Sequence, residues 1–488
     1  MAKGRPRHHP IVVLDKKKLA AMSSPHARLS LVDGIFEMIV FQIQTGHLTA
    51  GQRLHSVRQL ADDCEVSRDT VARAYDKLVA HGHLESRAGS GFYIKQIKHV
   101  QPIQDTAATT PLLPAWRRLR LIQPVGERLS TTGLGLLPGD WMDEGSVGGA
   151  LRSVARATPR ALAGYADPLG YLPLRQQIHE KLKGVQILAP VQQIMTTQGA
   201  SDAIHLVVMS FLSIPGEFVL VEEPGPFMQV DRLMATGLQP VAVPRESDGP
   251  NLVALRALCE TYHPRFFICS SVLQSPTSTQ LAPHKAYQIL RLAEEFDLTI
   301  IEDDTYSDLM PTMGNLTVTR LASLDQLHRV VYIGSFSKTI APGLRAGFVC
   351  ANPDFMERLL VYKTVSQISG SPTVEKAVYQ VLSQGGYRHH CAQLRSRLDE
   401  LRQPVINQLQ TIGCTFENLP DAGMYVWATL PGGANAEKIA EAMYAQGHLM
   451  APGMLFSTME EHRNRMRFNI TRTLDSPALP ALAELLGT

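Results

Sequence analysis

The stretch Val330-Val331-Tyr332-Ile333-Gly334-Ser335-Phe336-Ser337-Lys338, continued by Pro342-Gly343-Leu344-Arg345-Ala346-Gly347, decides how most of this chain folds. Four apolar residues ending at a glycine predict a short buried strand. A lysine at the end of such a strand, flanked by hydroxyls, is placed to form a Schiff base, while the serines and a nearby arginine can hold a phosphate. A bare Ser-x-Ser-Lys string also describes a surface loop, so the second half of the stretch and its upstream company carry the weight.

Upstream, Leu298-Thr299-Ile300-Ile301-Glu302-Asp303-Asp304-Thr305-Tyr306 ends another apolar run in carboxylates, with a phenol following. Pyridoxal phosphate chemistry needs a carboxylate on the pyridine nitrogen, keeping it protonated so that the ring can accept electrons. Further apolar runs, Phe218 to Val221, Phe266 to Cys269 and Ala346 to Cys350, alternate with amphipathic stretches. That alternation predicts a largely parallel α/β sheet from about residue 135 onward.

The first hundred residues differ in character. They hold 15 Lys+Arg against 9 Asp+Glu, whereas the whole 488-residue chain has 47 against 45. A basic small module on a slightly acidic large one suggests a polyanionic partner for the first. Residues 1–25 are expected to be a flexible basic arm. Leu31, Ile35, Met38, Ile39 and Ile43 then form an apolar stripe at helical spacing that stops at Gly46. Ser56 can cap a second helix, and Ser67 a third carrying Val71, Tyr75, Leu78 and Val79. The tight break at Glu65-Val66 between them gives a helix-turn-helix. A short hairpin, with its turn at Gly89-Ser90-Gly91, predicts a wing. On the third helix Arg68, Thr70 and Arg73 fall off the apolar stripe, and Arg58 and Arg87 extend the basic face. Such residues can reach phosphates or a guanine edge. Residues 98–130, with four prolines and a Thr/Ala run, are expected to link this domain (26–97) to the rest (131–488).

The segments Gly51-Gln52-Arg53-Leu54, Ser56-Val57-Arg58-Gln59-Leu60-Ala61, Ser67-Arg68-Asp69-Thr70-Val71-Ala72-Arg73-Ala74-Tyr75 and Leu84 to Ile94 together resemble the winged helix-turn-helix of the GntR family. That resemblance implies a double-stranded DNA operator as partner, contacted by Arg58, Arg68, Thr70, Arg73 and Arg87 with Gly89 and Gly91 shaping the wing. His55 stands where the family usually has proline.

The lysine and aspartate motifs resemble the fold-type-I aminotransferases across roughly residues 135–485. The resemblance implies pyridoxal 5′-phosphate held as an aldimine on Lys338, with Asp303 at the ring nitrogen and Tyr306 at the ring hydroxyl. Ser335, Ser337 and Arg345 would bind the phosphate with the backbone amides of Ala200 and Ser201 at a helix start. Tyr165 matches a tyrosine that reaches the neighbouring subunit's phosphate, and Arg467 one that grips a substrate carboxylate. The large part is expected over about 165–355 and a smaller C-terminal α/β part over about 375–488. Two positions depart from the family. Ser275, in Ser275-Pro276-Thr277-Ser278, replaces an asparagine whose amide is expected near the ring hydroxyl. Pro226 stands where an aromatic commonly stacks on the ring, leaving Phe227 as a substitute one position on.

The two modules in this order resemble the MocR subfamily of bacterial transcriptional regulators. The implied function is a homodimeric, cytoplasmic DNA-binding regulator that senses pyridoxal phosphate or an amino compound by aldimine exchange at Lys338. The alternative is a working aminotransferase with an accessory N-terminal domain; a third, a cofactor-free scaffold, is disfavoured by the intact lysine and phosphate residues. Ser275 and Pro226 weigh against rapid turnover. Composition adds boundaries. The cysteines Cys64, Cys259, Cys269, Cys350, Cys391 and Cys414 show no metal-ligand spacing, so no metal is expected. No apolar run reaches membrane-spanning length, and residues 1–18 lack a signal-peptide core.

Overall fold

The computed structural model describes residues 30–87, 89–95, 130–157, 164–211, 216–311 and 318–487. The basic arm expected at 1–25 and all of the linker at 98–130 except Ser130 lie outside the described residues. The chain divides into two compact units, residues 1–111 and 112–488.

The first unit is three helices and a hairpin. Helix α1 (Leu31–Gln44) starts at Ser30, whose hydroxyl accepts from the Asp33 amide. Ser56 caps α2 (Val57–Cys64) through the Gln59 amide, and Glu65, in the left-handed conformation, ends it. Ser67 caps α3 (Arg68–Ala80) through the Thr70 amide at 3.0 Å. Each cap satisfies an amide that the first turn cannot pair internally. Strands β1 (Leu84–Arg87) and β2 (Gly91–Ile94) pair antiparallel, Leu84 opposite Ile94. Ile35, Ile39, Leu60, Val71, Tyr75, Leu78, Leu84 and Ile94 form one core. Full burial of each such side chain contributes ~1.5–3 kcal/mol. The expected stripes are trimmed at their ends: Leu31 is 42% exposed and Val79 36%, while Phe36 and Val40 are buried instead.

The second unit is built on an eight-stranded sheet of β3 (Ile194–Thr197), β4 (Phe218–Glu223), β5 (Gln239–Glu246), β6 (Gly249–Pro250), β7 (Phe266–Cys269), β8 (Thr299–Asp303), β9 (Val330–Ser335) and β10 (Gly347–Cys350). Their spatial order is β3-β10-β9-β8-β7-β4-β5-β6. Strands β5, β4, β7, β8 and β9 run parallel, as the alternating pattern predicts. The pattern does not show that β10 is antiparallel to both β9 and β3. The reason is physical: a strand buried on both faces reads as an apolar run whichever way it points. Two apolar clusters cover the sheet's faces.

A smaller antiparallel sheet of β11 (Tyr425–Thr429), β12 (Ala451–Pro452) and β13 (Arg465–Asn469), in the order β11-β13-β12, is backed by the helices Gly386–Thr411, Ala436–Ala445 and Ala478–Leu486. Residues 130–137 also belong here. The Ser130 amide donates to the Gly447 carbonyl, the Leu449 amide to the Ser130 carbonyl, the Gly133 amide to the Leu449 carbonyl, and the Asn469 amide to the Thr132 carbonyl. Among the described residues, no helix is long and apolar enough to cross a membrane.

Candidate functional site

Parallel strands deliver their C-terminal ends to one edge of a sheet, and ligands in such folds bind there. Strand β8 ends at Asp303, and β9 ends at Ser335, three residues before Lys338. Alternation along β8 and its turn separates three successive carboxylates. Glu302 accepts from the Leu321 and Ala322 amides, and burial pushes its carboxyl up to about 7. Asp304 is tied to Arg320 at 2.6 Å and to the Tyr332 hydroxyl at 2.7 Å. Asp303 faces elsewhere, accepting from the Thr305 amide and hydroxyl, and burial raises its carboxyl despite those bonds. Of the three, Asp303 is therefore the one left for a ligand.

Lys338 donates from Nζ to the Gly135 carbonyl at 2.7 Å and lies 5.5 Å from the Tyr306 ring centre. Burial lowers its ammonium pKa, and the positive charges of Arg467 and Arg345 lower it further, against Tyr425 and Asp303. A lysine so placed is more readily neutral, and so nucleophilic, than a surface one.

Beside it is an anion cradle. Ser335 Oγ accepts from the Ser337 amide at 3.2 Å, whereas the buried Ser337 hydroxyl has no partner. Gly199, at φ +85°, turns the chain into the helix Ala200–Phe211, whose first amides at Ala200 and Ser201 have no intrahelical acceptor. Arg345 lies against that turn, donating to the Gln198 carbonyl at 3.1 Å. Arg232, not anticipated from sequence, donates to the Ser201 carbonyl at 2.9 Å. Two guanidiniums, a helix N-terminus and an orphaned hydroxyl fit a phosphate.

The opposite wall comes from the small sheet. Arg467, on β13 and 4% exposed, is sandwiched between Tyr425 (4.3 Å to the ring centre) and Phe456 (4.6 Å). It donates to the Ser275 hydroxyl at 3.3 Å and the Gly133 carbonyl at 2.8 Å, and its Nε is buried without a partner. Gly133 must be small, because a Cβ there would press within 2.6 Å of the Ala451 amide nitrogen. The Tyr306 and Tyr425 hydroxyls are 3.2 Å apart. Phe227 is buried edge-on against Phe456, 5.7 Å between ring centres. Tyr165 is 82% exposed. Glu223 joins β4 to the small part, accepting from Ser457 and Thr458 hydroxyls at 2.7 and 2.9 Å. No motif flagged Tyr425, Phe456, Gly133, Gly135 or Glu223; each acts across a long stretch of chain.

In the first unit Arg58, Arg68 and Arg73 are exposed and Thr70 is half-buried, its hydroxyl 2.8 Å from that of Ser67. Arg87 is also exposed but occupied, bonded to Glu85 at 2.7 Å and lying 4.2 Å from the Tyr93 ring centre. Gly89 and Gly91 take φ of +67° and +102° at the hairpin turn. All six cysteines are free and buried, and no group of metal-ligating side chains occurs among the described residues.

Fold and site together define an aminotransferase-like protein of fold type I joined to a winged helix-turn-helix. Residues 138–485 match the family model for aminotransferase class I and II, and the chain belongs to that family. Residues 31–94 match the model for bacterial regulatory proteins of the gntR family. The chain is 29% identical over 439 residues to the probable rhizopine catabolism regulatory protein MocR of Rhizobium meliloti, covering 86% of this chain and 85% of that one. It is 26% identical over 445 residues to the uncharacterized HTH-type transcriptional regulator YisV of Bacillus subtilis, covering 88% and 89%. Among solved structures, the α-aminoadipate aminotransferase LysN of Thermus thermophilus, complexed with N-(5′-phosphopyridoxyl)-L-leucine, superposes with a TM-score of 0.67 at 24% identity, over 74% of this chain and 92% of that one. The architecture is thus that of the MocR-type regulators, and the family implies pyridoxal 5′-phosphate as cofactor.

Proposed function

We propose that this chain is a DNA-binding transcriptional regulator whose aminotransferase-like unit binds pyridoxal 5′-phosphate and an amino compound bearing a carboxylate, and that this ligand sets its DNA affinity. When bound, the cofactor supplies an aldehyde carbon for amines and a ring that accepts electrons. Lys338 would carry it covalently, Asp303 would hold the ring nitrogen's proton, and Tyr306 would donate to the ring hydroxyl. Ser335, Ser337, Arg345 and the amides of Ala200 and Ser201 would bind its phosphate. Arg467, stripped of water and with Nε unpaired, would take the effector's carboxylate. Exposed Tyr165 is available to a second copy, and the homodimer is part of the proposal. Arg58, Arg68, Arg73 and Thr70, with Arg87 at the wing, would face the operator.

One observation carries the regulatory part: Lys338 and Arg467 both donate to carbonyls of one short segment, at Gly135 and Gly133. That segment is where the chain arrives from the helix-turn-helix. A lysine engaged by cofactor, and an arginine engaged by carboxylate, would change partners there. The ligand thereby interacts differently with two arrangements of the segment, which a population shift requires. The test is the affinity of genomic fragments that co-precipitate with the protein, measured with and without pyridoxal phosphate and candidate amino acids.

A working aminotransferase is the second reading, favoured by the retention of Lys338, Asp303, Tyr306 and Arg467 in one site. Sustained exchange between an amino acid and a keto acid at about 1–1000 per second would establish it instead.

A further inference from the structure

Tyr425 belongs to none of the motifs that define the site, yet its phenol lies between the groups that do. Its hydroxyl is 3.2 Å from that of Tyr306 and packs over Gly135, where a Cβ would come within 3.2 Å of it. Its ring supports the Arg467 guanidinium, and its backbone carbonyl accepts from Ser278. The charged or titratable groups facing it are Tyr306 from the turn after β8, Lys338 after β9 and Arg467 on β13, with Asp303 behind Tyr306. Ser275 is 5% exposed, its hydroxyl taken up at 3.3 Å by the Arg467 guanidinium.

We propose that Tyr425 is a further functional residue of this site, its hydroxyl backing Tyr306 in a two-phenol relay that replaces the donor which the short Ser275 side chain does not supply. The proposal rests on pyridoxal phosphate occupying the site with Tyr306 at its ring hydroxyl. Two hydroxyls 3.2 Å apart, at the long edge of O–H···O geometry, are within reach of a bond in which one donates to the other. Burial, with Tyr425 beside it, holds Tyr306 protonated, so its proton is available to the ring oxygen. Once Tyr306 donates there, its lone pairs accept from Tyr425, and a donor that is itself backed by a donor binds more strongly. Tyr425 suits that place. Burial raises its pKa, but Arg467, Lys338 and the Tyr306 bond outweigh burial and make it the more acidic phenol of the two.

Tyr425→Phe keeps the ring against Arg467 and removes the hydroxyl alone. The cofactor-loaded protein is titrated from about pH 5 to about pH 10 by its visible absorbance. Donors stabilise the anionic ring oxygen, so their loss makes it more basic. The expected result is a titration midpoint raised by at least about half a pH unit in Tyr425→Phe, with a return toward wild type in Tyr425→Phe/Ser275→Asn, where an amide supplies the missing donor. That reversal separates a relay from a packing role. If Tyr425→Phe binds cofactor with an unchanged or lowered midpoint, or if Ser275→Asn leaves the shift in place, the relay is overturned while the cofactor assignment stands. If wild type shows no visible absorbance after incubation with pyridoxal phosphate, both fall.

Discussion

Lys338 and Gly135, 203 residues apart, are joined by a 2.7 Å hydrogen bond from the lysine ammonium to the glycine carbonyl. The nitrogen that donates this bond is the one that a bound cofactor would claim from the lysine. The bond also puts a segment close to the first described residues of the second unit in direct contact with Lys338.

Replacing Lys338 with alanine should abolish covalent attachment. After incubation with pyridoxal phosphate and reduction with borohydride, mass spectrometry of wild-type peptides should find the adduct at Lys338, and the variant should have none. An equal adduct elsewhere in Lys338→Ala would sink the anchor assignment.

Capture of the cofactor should also depend on pH in a defined direction. Burial, Arg467 and Arg345 lower the Lys338 pKa, so the neutral amine persists to lower pH than in a surface lysine. The rate of absorbance growth with pyridoxal phosphate should rise with pH and level off below the ordinary lysine value of about 10.4. A midpoint at or above that value contradicts the electrostatic account.

Arg467→Gln should weaken binding of carboxylate-bearing amines and spare amines without one. Loss of a charge-assisted bond of about 1.5–3 kcal/mol corresponds to an affinity drop on the order of 10- to 100-fold. Spectral titration with paired ligands, one with and one without the carboxylate, checks it. Equal losses for both would mean that Arg467 only braces Tyr425 and Phe456.

Much of this site was legible because its parts are local. Lys338, Ser335 and Ser337 lie within four residues, and Asp303 with Tyr306 likewise. The caps at Ser56 and Ser67 were legible for the same reason, and the structure forms both. What was not legible is long-range. Ser275, Gly133 and Tyr425 converge on Arg467 from segments that no spacing rule connects. Nor does apolarity reveal direction, hence the antiparallel β10. Arg87 reads in the sequence as extending the basic face, but Glu85 and Tyr93 already engage it, so a DNA contact there would have to displace them.

Exposed Arg68 opens the recognition helix and has no such competitor among the described contacts. Arg68→Ala should weaken operator binding and leave cofactor absorbance intact. If its contact is to phosphate, the slope of log affinity against log salt should fall by about 1; if to guanine, discrimination at one base position should fall instead. Unaltered affinity and slope would place the recognition surface elsewhere.

Ser67→Ala removes the hydroxyl that accepts from the Thr70 amide at 3.0 Å. The first unit should lose about 1 kcal/mol, within a range of about 0.5–2. Denaturant melting of its transition measures this, and the second unit's transition should not move.

The most direct test of the central claim is the operator affinity of wild type and Lys338→Ala, each titrated with pyridoxal phosphate and then with the amino compound. The account predicts that the ligands change DNA affinity in wild type and leave it unchanged in the variant, which still binds DNA. A ligand response of equal size in Lys338→Ala would contradict it.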